Sequence, residues 1–275
     1  MADDIQNPGS ALGEAIGAEM EKALNDFLTN LVESRGNHFL SKSPVKNKNG
    51  TPKKLLMYDN FGTAYNIDAV IANESMQPII LIESKYIRYK KHNRDKGSWV
   101  CTAHPAVRRR YDSIRSSIAV LAGNWSSTSL TMMKSFDINI FLVPFTKICD
   151  LLEKHKINFD WGEKDREMAK DAWKKYSALT NAQKYEIGAE MVNVVKDELE
   201  ILVLSILDDT LEREVNRITI ELHSSLGEVK AYEFLTVDEA VEFLNTAELK
   251  EVFISSDSLT LFDPPPVIDD DDDDE

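Results

Sequence analysis

Residues 78–91, PIILIESKYIRYKK, begin like a buried β-strand and carry two opposite charges within it. Four consecutive aliphatic residues, 79–82, lead directly into Glu83 and Lys85. Because residues two apart in a strand face the same way, this acid and base share one face. A buried charge is costly unless it is paired or bound to a metal. The segment therefore predicts a core strand that carries either a functional site or a structural ion pair.

The preceding segment supplies a second acid. Residues 64–72, AYNIDAVIA, form an expected strand, and the turn-rich NESMQ predicts an antiparallel hairpin with the strand at 78–86. Pairing of residue 72 with 79 places Asp68 opposite Glu83. Two neighbouring carboxylates repel, and burial increases the cost. A divalent cation would resolve both problems, and the ammonium of Lys85 beside it could orient a water.

A long amphipathic helix is expected at residues 10–34, with Ser10 as N-cap and Gly36 just past its end. Its apolar stripe has three- and four-residue steps and consists of Leu12, Ile16, Ala23, Phe27 and Leu31. Glu19 falls within this stripe, so we expect it to face inward and reach the site. Glu14 and Glu21 are expected to project to the other side.

Four further segments complete the first half of the chain. A short strand is expected at 53–58, and a polar, basic loop follows the strand at 78–86. Pro105 predicts the first turn of a second helix, which apolar spacing extends to Gly123. Residues 138–143, INIFLV, predict another buried strand. The expected order is helix, three strands, helix, strand.

The second half has a different character. Helical patterns dominate from about 146 to 208, and two strands are expected around 217–223 and 228–235. A helix opened by Thr236 follows, and the final aspartate run has no apolar side chain to bury. These patterns predict a core domain at 1–145, a helical and β elaboration at 146–263 that serves recognition or dimerisation, and a disordered acidic tail at 264–275.

Charge is distributed unevenly along the chain. The net charge is −15, yet residues 41–115 contain 15 Lys and Arg against 6 Asp and Glu, a local net of +9. A local basic surface suits phosphate binding, although a solvated lysine-rich loop explains 41–54 equally well. A histidine in a polar loop, such as His92 or His104, is more often neither a base nor a ligand. The candidate phosphate contacts are Arg88, Lys90, Lys91, Arg94, Lys96, Arg108 and Arg109. Arginines on a helix surface, which here include Arg115, are more often simply solvated.

Several classes of protein are disfavoured. No apolar run approaches the roughly 20 residues that span a membrane, and the acidic N-terminus lacks the features of a signal peptide. Cys101 and Cys149 are too few for a disulfide framework or a zinc knuckle, so we expect two reduced thiols in a cytoplasmic protein. No P-loop motif for a nucleotide triphosphatase occurs.

The spacing D-x14-E-x-K, formed by Asp68 and by Glu83-Ser84-Lys85, resembles the PD-(D/E)xK nucleases of the restriction-endonuclease-like superfamily. The resemblance covers roughly the first half of the chain. Ile67 stands where the motif name has proline. The resemblance implies an α/β fold with an αβββαβ core and a mixed central sheet. To this core the chain would add a mainly helical C-terminal elaboration with a small β-hairpin.

The resemblance also implies a role for each site residue. Asp68, Glu83 and the carbonyl of Ser84 would hold Mg²⁺, with Mn²⁺ as a substitute. Lys85 would orient and help deprotonate the attacking water, and Glu19 would act through a metal-bound water or a second ion. The implied protein is a type II restriction endonuclease that cuts double-stranded DNA as a homodimer, without a membrane partner. Alternatives are a phage or repair nuclease for junctions or ends, a non-catalytic DNA-binding protein, and a purely structural α/β protein.

Overall fold

The computed structural model describes residues 7–263, apart from 44, 90–92, 163, 211, 250 and 254–259. The chain divides into two compact units, Met1–Asp208 and Asp209–Glu275. The expected boundary at residue 145 does not separate compact units, because the helices after it share one hydrophobic core with the first helix and the sheet. The expected acidic tail at 264–275 lies outside the described residues.

The first unit has an α/β fold. Its helices are α1 (Pro8–Glu33), α2 (Asn93–Arg108), α3 (Ser127–Ser135), α4 (Phe145–Glu153), α5 (Arg166–Ser177), α6 (Asn181–Asn193) and α7 (Lys196–Leu207). Its strands are β1 (His38–Leu40), β2 (Leu56–Tyr58), β3 (Ala64–Asn66), β4 (Ala69–Ala72), β5 (Pro78–Ile87), β6 (Ser116–Gly123) and β7 (Ile138–Pro144). The helices expected between 146 and 208 and the strand expected at 138–143 are confirmed.

The central sheet has five strands in the order β1-β4-β5-β6-β7. The β1–β4 and β4–β5 pairs are antiparallel, whereas β5–β6 and β6–β7 are parallel. The expected mixed α/β fold is therefore confirmed. Every residue of β6 is buried, which suits a parallel strand covered by helices on both faces.

The edge of this sheet differs from the sequence expectation. The edge strand is β1, which the apolar pattern did not predict. The strand expected at 53–58 is the shorter β2, and it pairs with β3 in a separate two-stranded sheet. The strand expected at 64–72 is divided into β3 and β4 by Ile67 and Asp68. This division sets Asp68 at the junction between the two sheets.

The helix expected from Pro105 to Gly123 is wrong. Helix α2 ends at Arg108 with Pro105 inside it, and the rest of the segment forms β6. The spacing of Ile114, Ile118 and Leu121 fits a helix, but a short apolar run also fits a fully buried strand, and periodicity cannot separate the two. Helix α2 begins instead within the stretch expected as a basic loop.

Helix α1 organises the core of the first unit. It begins at Pro8, and the side chain of Asn7, rather than Ser10, forms the N-cap by accepting from the Ser10 N–H at 3.2 Å. Its apolar residues join one hydrophobic cluster with β5, β6 and the helices α4 to α7. Gly13 and Gly17 bring it close to β5, since a Cβ at Gly13 would lie 2.9 Å from the Tyr86 ring.

The second unit contains the hairpin of β8 (Ile218–His223) and β9 (Val229–Phe234) and the helix α8 (Val237–Thr246). Thr236 caps α8 through a capping box with Glu239. Both expected strands and the helix opened by Thr236 are confirmed. Cys101 and Cys149 are free thiols, as expected. Among the described residues, no helix combines the length and apolar character needed to cross a membrane.

Candidate active site

The β4–β5 hairpin brings the two predicted carboxylates together. Ala69 pairs with Ile82, and the next position places Asp68 opposite Glu83, as the sequence predicts. The expected pairing of 72 with 79 is shifted, because Ala72 pairs with Pro78 at an irregularity close to the turn. The shift does not reach the site, so the register that matters is confirmed.

Lys85 connects the two acids. Its Nζ donates to Asp68 Oδ2 at 2.6 Å and forms an ion pair with Glu83 Oε2. The backbone N–H of Ser84 donates to the same Asp68 oxygen at 3.0 Å. The Glu83 side chain is fully buried, whereas those of Asp68 and Lys85 remain 21% exposed. A solvent molecule or substrate can therefore approach from the side of Asp68 and Lys85.

His104 is a further member of this group, although the sequence pattern placed it in a polar loop and favoured no role for it; it lies in α2 and is buried. Its Nε2 lies 3.6 Å from Glu83 Oε1, and both side chains are fully buried. The distance is too long for a hydrogen bond, so the contact is electrostatic. His104 lies in the buried stripe of α2, made of Gly97, Val100, Cys101, His104 and Val107. That helical spacing is the signal that could have found it.

The surroundings of the two acids shift their pKa values in opposite directions. Burial and the neighbouring Glu83 raise the pKa of Asp68 from 3.8 to about 6. Burial alone would raise the pKa of Glu83, but the His104 ring and the Lys85 ammonium outweigh it and lower that pKa to about 2. Burial alone would lower the pKa of Lys85, yet the charges of Glu83 and Asp68 outweigh it and raise that pKa. At neutral pH, Lys85 is therefore an ammonium between two carboxylates.

These residues fit a hard divalent cation. Two carboxylates share one ammonium, which leaves a net negative charge, and Glu83 Oε1 accepts no hydrogen bond within the described part of the chain. Together with the carbonyl of Ser84 they offer the oxygen ligands that Mg²⁺ prefers. Across the described residues, no group of three or more His, Cys, Asp and Glu side chains has the arrangement of a metal site. A metal here would rest on two carboxylates, backbone oxygen and water.

Glu19 does not belong to this group. The cleft of about 700 Å³ that borders Lys85 is lined from α1 by Gly13, Gly17, Glu14 and Glu21, and not by Glu19. Glu19 lies about 200° around the helix from Gly17 and faces α5. There the burial of Tyr176, and after it the charge of Glu19, raise the pKa of Tyr176. The expectation fails because the apolar stripe of α1 packs against other helices, whereas the cleft is lined by the helix's more polar side.

The predicted phosphate contacts fall into several environments. Arg88 is only 6% exposed, and its Nη2 donates to the carbonyls of Phe159 and Trp161 at 2.7 and 3.1 Å. Arg115 precedes β6 and donates to the carbonyl of Ile206 at 2.7 Å. Both arginines are structural, which for Arg88 is contrary to the expectation that it contacts DNA.

The remaining bases of that set are nearer to solvent. Lys96 is exposed and lines the cleft, where its Nζ donates to the carbonyl of Tyr86 at 2.7 Å. Burial and the charge of Lys85 lower the pKa of Lys96. Arg94 and Arg109 are exposed and Arg108 is half-buried. The predicted contacts Lys90 and Lys91, and His92, lie outside the described residues.

Comparisons with known proteins do not assign the chain to a family. No protein-family model matches it. No curated protein sequence matches it. A solved structure described as the crystal structure of a protein of unknown function, AF1548, is similar over 66% of this chain and 98% of that chain, with 10% sequence identity and a TM-score of 0.31. At this TM-score and identity the likeness does not establish a shared fold.

Proposed function

We propose that this protein is a Mg²⁺-dependent endonuclease that hydrolyses phosphodiester bonds in double-stranded DNA. The observation that carries the proposal is the contact of Asp68, Glu83 and Lys85 at one point of the β4–β5 hairpin. A structural ion pair needs one acid for one base. Here a second, partly exposed acid competes for the same lysine beside a cleft, which suits a cation and a phosphate better than a packing role.

The order of elements supports the same proposal. The order α1, β1, β4, β5, α2 and β6 is helix, three strands, helix and strand, once the separate β2–β3 hairpin is set aside. The resemblance to PD-(D/E)xK nucleases implies that order. The strands that fill it differ from those expected, since β1 takes the place of the segment at 53–58.

Each residue of the site has a distinct part in the proposed reaction. Asp68, Glu83 and the carbonyl of Ser84 would hold the cation, which supplies positive charge to the scissile phosphate and acidifies water. The raised pKa of Lys85 keeps it protonated, so it would orient the attacking water as a donor and stabilise charge rather than accept a proton. His104 would keep the buried carboxylate of Glu83 in position.

We propose further that the enzyme is a type II restriction endonuclease acting as a homodimer. One site per chain cuts one strand, so cleavage of both strands of a duplex favours two copies related by a twofold axis. The basic segment 41–115 supplies a surface for the phosphate backbone, although the chain as a whole is acidic.

The test is incubation of the full chain with plasmid and phage DNA, in Mg²⁺ and in EDTA. Discrete fragments in Mg²⁺ support a restriction enzyme, and a smear supports a non-specific nuclease. Lys85→Ala should abolish cleavage, whereas Lys170→Ala, at an exposed lysine on α5, should not. Cleavage that persists in Lys85→Ala, or no cleavage by the wild-type protein, would overturn the catalytic assignment.

A further inference from the structure

A turn with an exposed aromatic residue joins β2 and β3. The carboxylate of Asp59 accepts from the N–H groups of Phe61 and Thr63, each at 2.8 Å, and from the Tyr65 hydroxyl at 3.3 Å. Asp59 is only 7% exposed, whereas Phe61 is 95% exposed. Internal hydrogen bonds therefore hold the turn in one conformation and present a phenyl ring to solvent.

Helix α2 fixes the position of this turn. Asn60 Nδ2 donates to the carbonyl of Arg109 at 3.1 Å, and Arg110 Nη1 donates to the carbonyl of Asp59 at 3.0 Å. These bonds tie the turn to the C-terminal end of α2. Phe61 is thus carried by a rigid element of the first unit, the kind of support that a binding residue needs.

The two faces of the β2–β3 hairpin are different. Met57 and Tyr65 pack against Val107 and its neighbours in a small hydrophobic cluster. On the opposite face, Leu56 and Tyr58 are 46% and 42% exposed. We call these two exposed side chains, together with Phe61 at the adjoining turn, the apolar strip of the hairpin.

Basic residues precede this strip in the chain and lie beside its turn. Residues 42–54 contain five lysines and no acid, and all five lysines are exposed. Arg109 and Arg110 are exposed at the end of α2, beside the turn. Exposed aromatic rings among basic side chains favour a nucleic acid as partner. The rings can stack on nucleobases, while the lysine and arginine side chains contact phosphates.

The hairpin also connects this strip to the candidate active site. Leu56 pairs with Asn66, and the Ile67 N–H donates to the carbonyl of Leu55 at 3.0 Å, so the residues that adjoin this contact are Lys54 on one side and Asp68 on the other. Six residues separate Asp68 from Phe61; Ala64–Asn66 among them form β3, and Gly62 and Thr63 belong to the turn, so the distance between Phe61 and Asp68 is at most about 20 Å. That distance corresponds to at most about six nucleotides along a DNA strand.

We propose that the β2–β3 hairpin is a DNA-contacting element. In it, the Phe61 ring inserts beside a nucleobase and unstacks it from its neighbour, at a position within about six nucleotides of the cleaved bond. Lys53 and Lys54 contact the phosphates between that base and Asp68. The inference rests on the proposed nuclease function and adds to it a point of DNA distortion. A second copy of the chain is the other partner that could bind this apolar strip, but the neighbouring lysine and arginine side chains favour DNA.

Binding is measured with the full chain carrying Lys85→Ala, in Ca²⁺, on a labelled DNA fragment that the wild-type enzyme cuts. Phe61→Ala should weaken binding about tenfold, the effect of losing one stacked base. It should leave the salt dependence unchanged, because phenylalanine carries no charge. The matched control is Leu226→Ala, at the turn of the β8–β9 hairpin, where Leu226 is 88% exposed. It should change affinity less than twofold.

A second readout reports the unstacking itself. The fluorescence of 2-aminopurine, placed at successive positions of the fragment, should rise on binding at one position within about six nucleotides of the cleaved bond and should not rise with Phe61→Ala. Equal binding curves and equal fluorescence for Lys85→Ala with and without Phe61→Ala would overturn the inference. Cleavage by the wild-type enzyme would in that case still support the nuclease function. A change in sedimentation of Phe61→Ala without a change in DNA binding would assign the strip to a second copy. Absence of cleavage by the wild-type protein would remove the nuclease function and this inference together.

Discussion

Arg88 offers a test of how the end of β5 is held in place. Its guanidinium is buried among aromatic rings, with Cζ 3.7 Å from the centroid of Trp161 and 4.3 Å from that of Phe159. Its Nη2 donates to the carbonyls of the same two residues, and its Nε donates to the Tyr89 hydroxyl at 3.0 Å. The side chain therefore joins β5, three residues after Lys85, to the connection between α4 and α5.

The cost of replacing Arg88 by methionine follows from these contacts. Hydrogen bonds from a charged donor contribute about 1.5–3 kcal/mol each, and a desolvated cation–π contact contributes about 2 kcal/mol. Methionine keeps the apolar stem and removes the cost of burying a charge, which offsets part of the loss. We expect Arg88→Met to lower the free energy of unfolding by about 3 kcal/mol, or the melting temperature by about 6–12 °C.

Urea unfolding followed by tryptophan fluorescence measures the change. Arg94→Met is the matched control, because Arg94 is exposed at the start of α2, and it should alter the free energy of unfolding by less than about 0.5 kcal/mol. Arg88→Met should also leave the salt dependence of DNA binding unchanged. Equal stability of the two variants, together with a lower salt dependence for Arg88→Met, would restore the original expectation that Arg88 binds phosphate.

Three further predictions concern packing and the site. Gly188→Ala should lower the free energy of unfolding by about 2–3 kcal/mol, because its Cβ would lie 2.3 Å from a backbone oxygen of α1. The control Gly162→Ala should be tolerated, because no atom lies within 4 Å of the new Cβ. Similar urea midpoints for Gly188→Ala and Gly162→Ala would contradict the close packing of α6 on α1 at Gly188. In EDTA, raising the pH from about 4.5 to 7 should lower the free energy of unfolding of the wild-type protein by about 2 kcal/mol relative to that of Asp68→Asn, because the raised pKa of Asp68 disfavours its ionisation in the folded state. Parallel plots of unfolding free energy against pH for the two proteins would refute this. His104→Ala should weaken Mn²⁺ binding about tenfold by calorimetric titration, because His104 supports the ligand Glu83, and unchanged affinity would exclude it from the site.

Local patterns were sufficient for the β4–β5 hairpin and its acids. The turn-rich segment between two apolar runs predicts the antiparallel pairing, and the strand period then places Asp68 opposite Glu83 with Lys85 on the same face. These relations depend on chain geometry over a few residues, so they needed no knowledge of the rest of the fold. Helix α1, apart from its N-cap, and helix α8 with its cap Thr236 were predictable for the same reason.

Two elements were decided by the packing of the whole unit. β6 has an apolar spacing that suits a helix, and its place between β5 and β7 makes it a strand. β1 is three residues long, and only its pairing with β4 identifies it as the sheet edge. For short apolar segments, the hydrogen-bonding partner decides between helix and strand, and that partner is distant in sequence.

The roles of individual side chains depended on tertiary structure in the same way. By itself, the sequence determined that Glu19 lies in the apolar stripe of α1 and that Arg88 follows Lys85 by three residues. Only the fold decided that Glu19 lies near Tyr176 of α5, that aromatic rings enclose Arg88, and that His104 contacts Glu83. Periodicity determines which residues share a face, because it is a property of the backbone. What covers that face depends on contacts between elements far apart in the chain, which a local pattern does not contain.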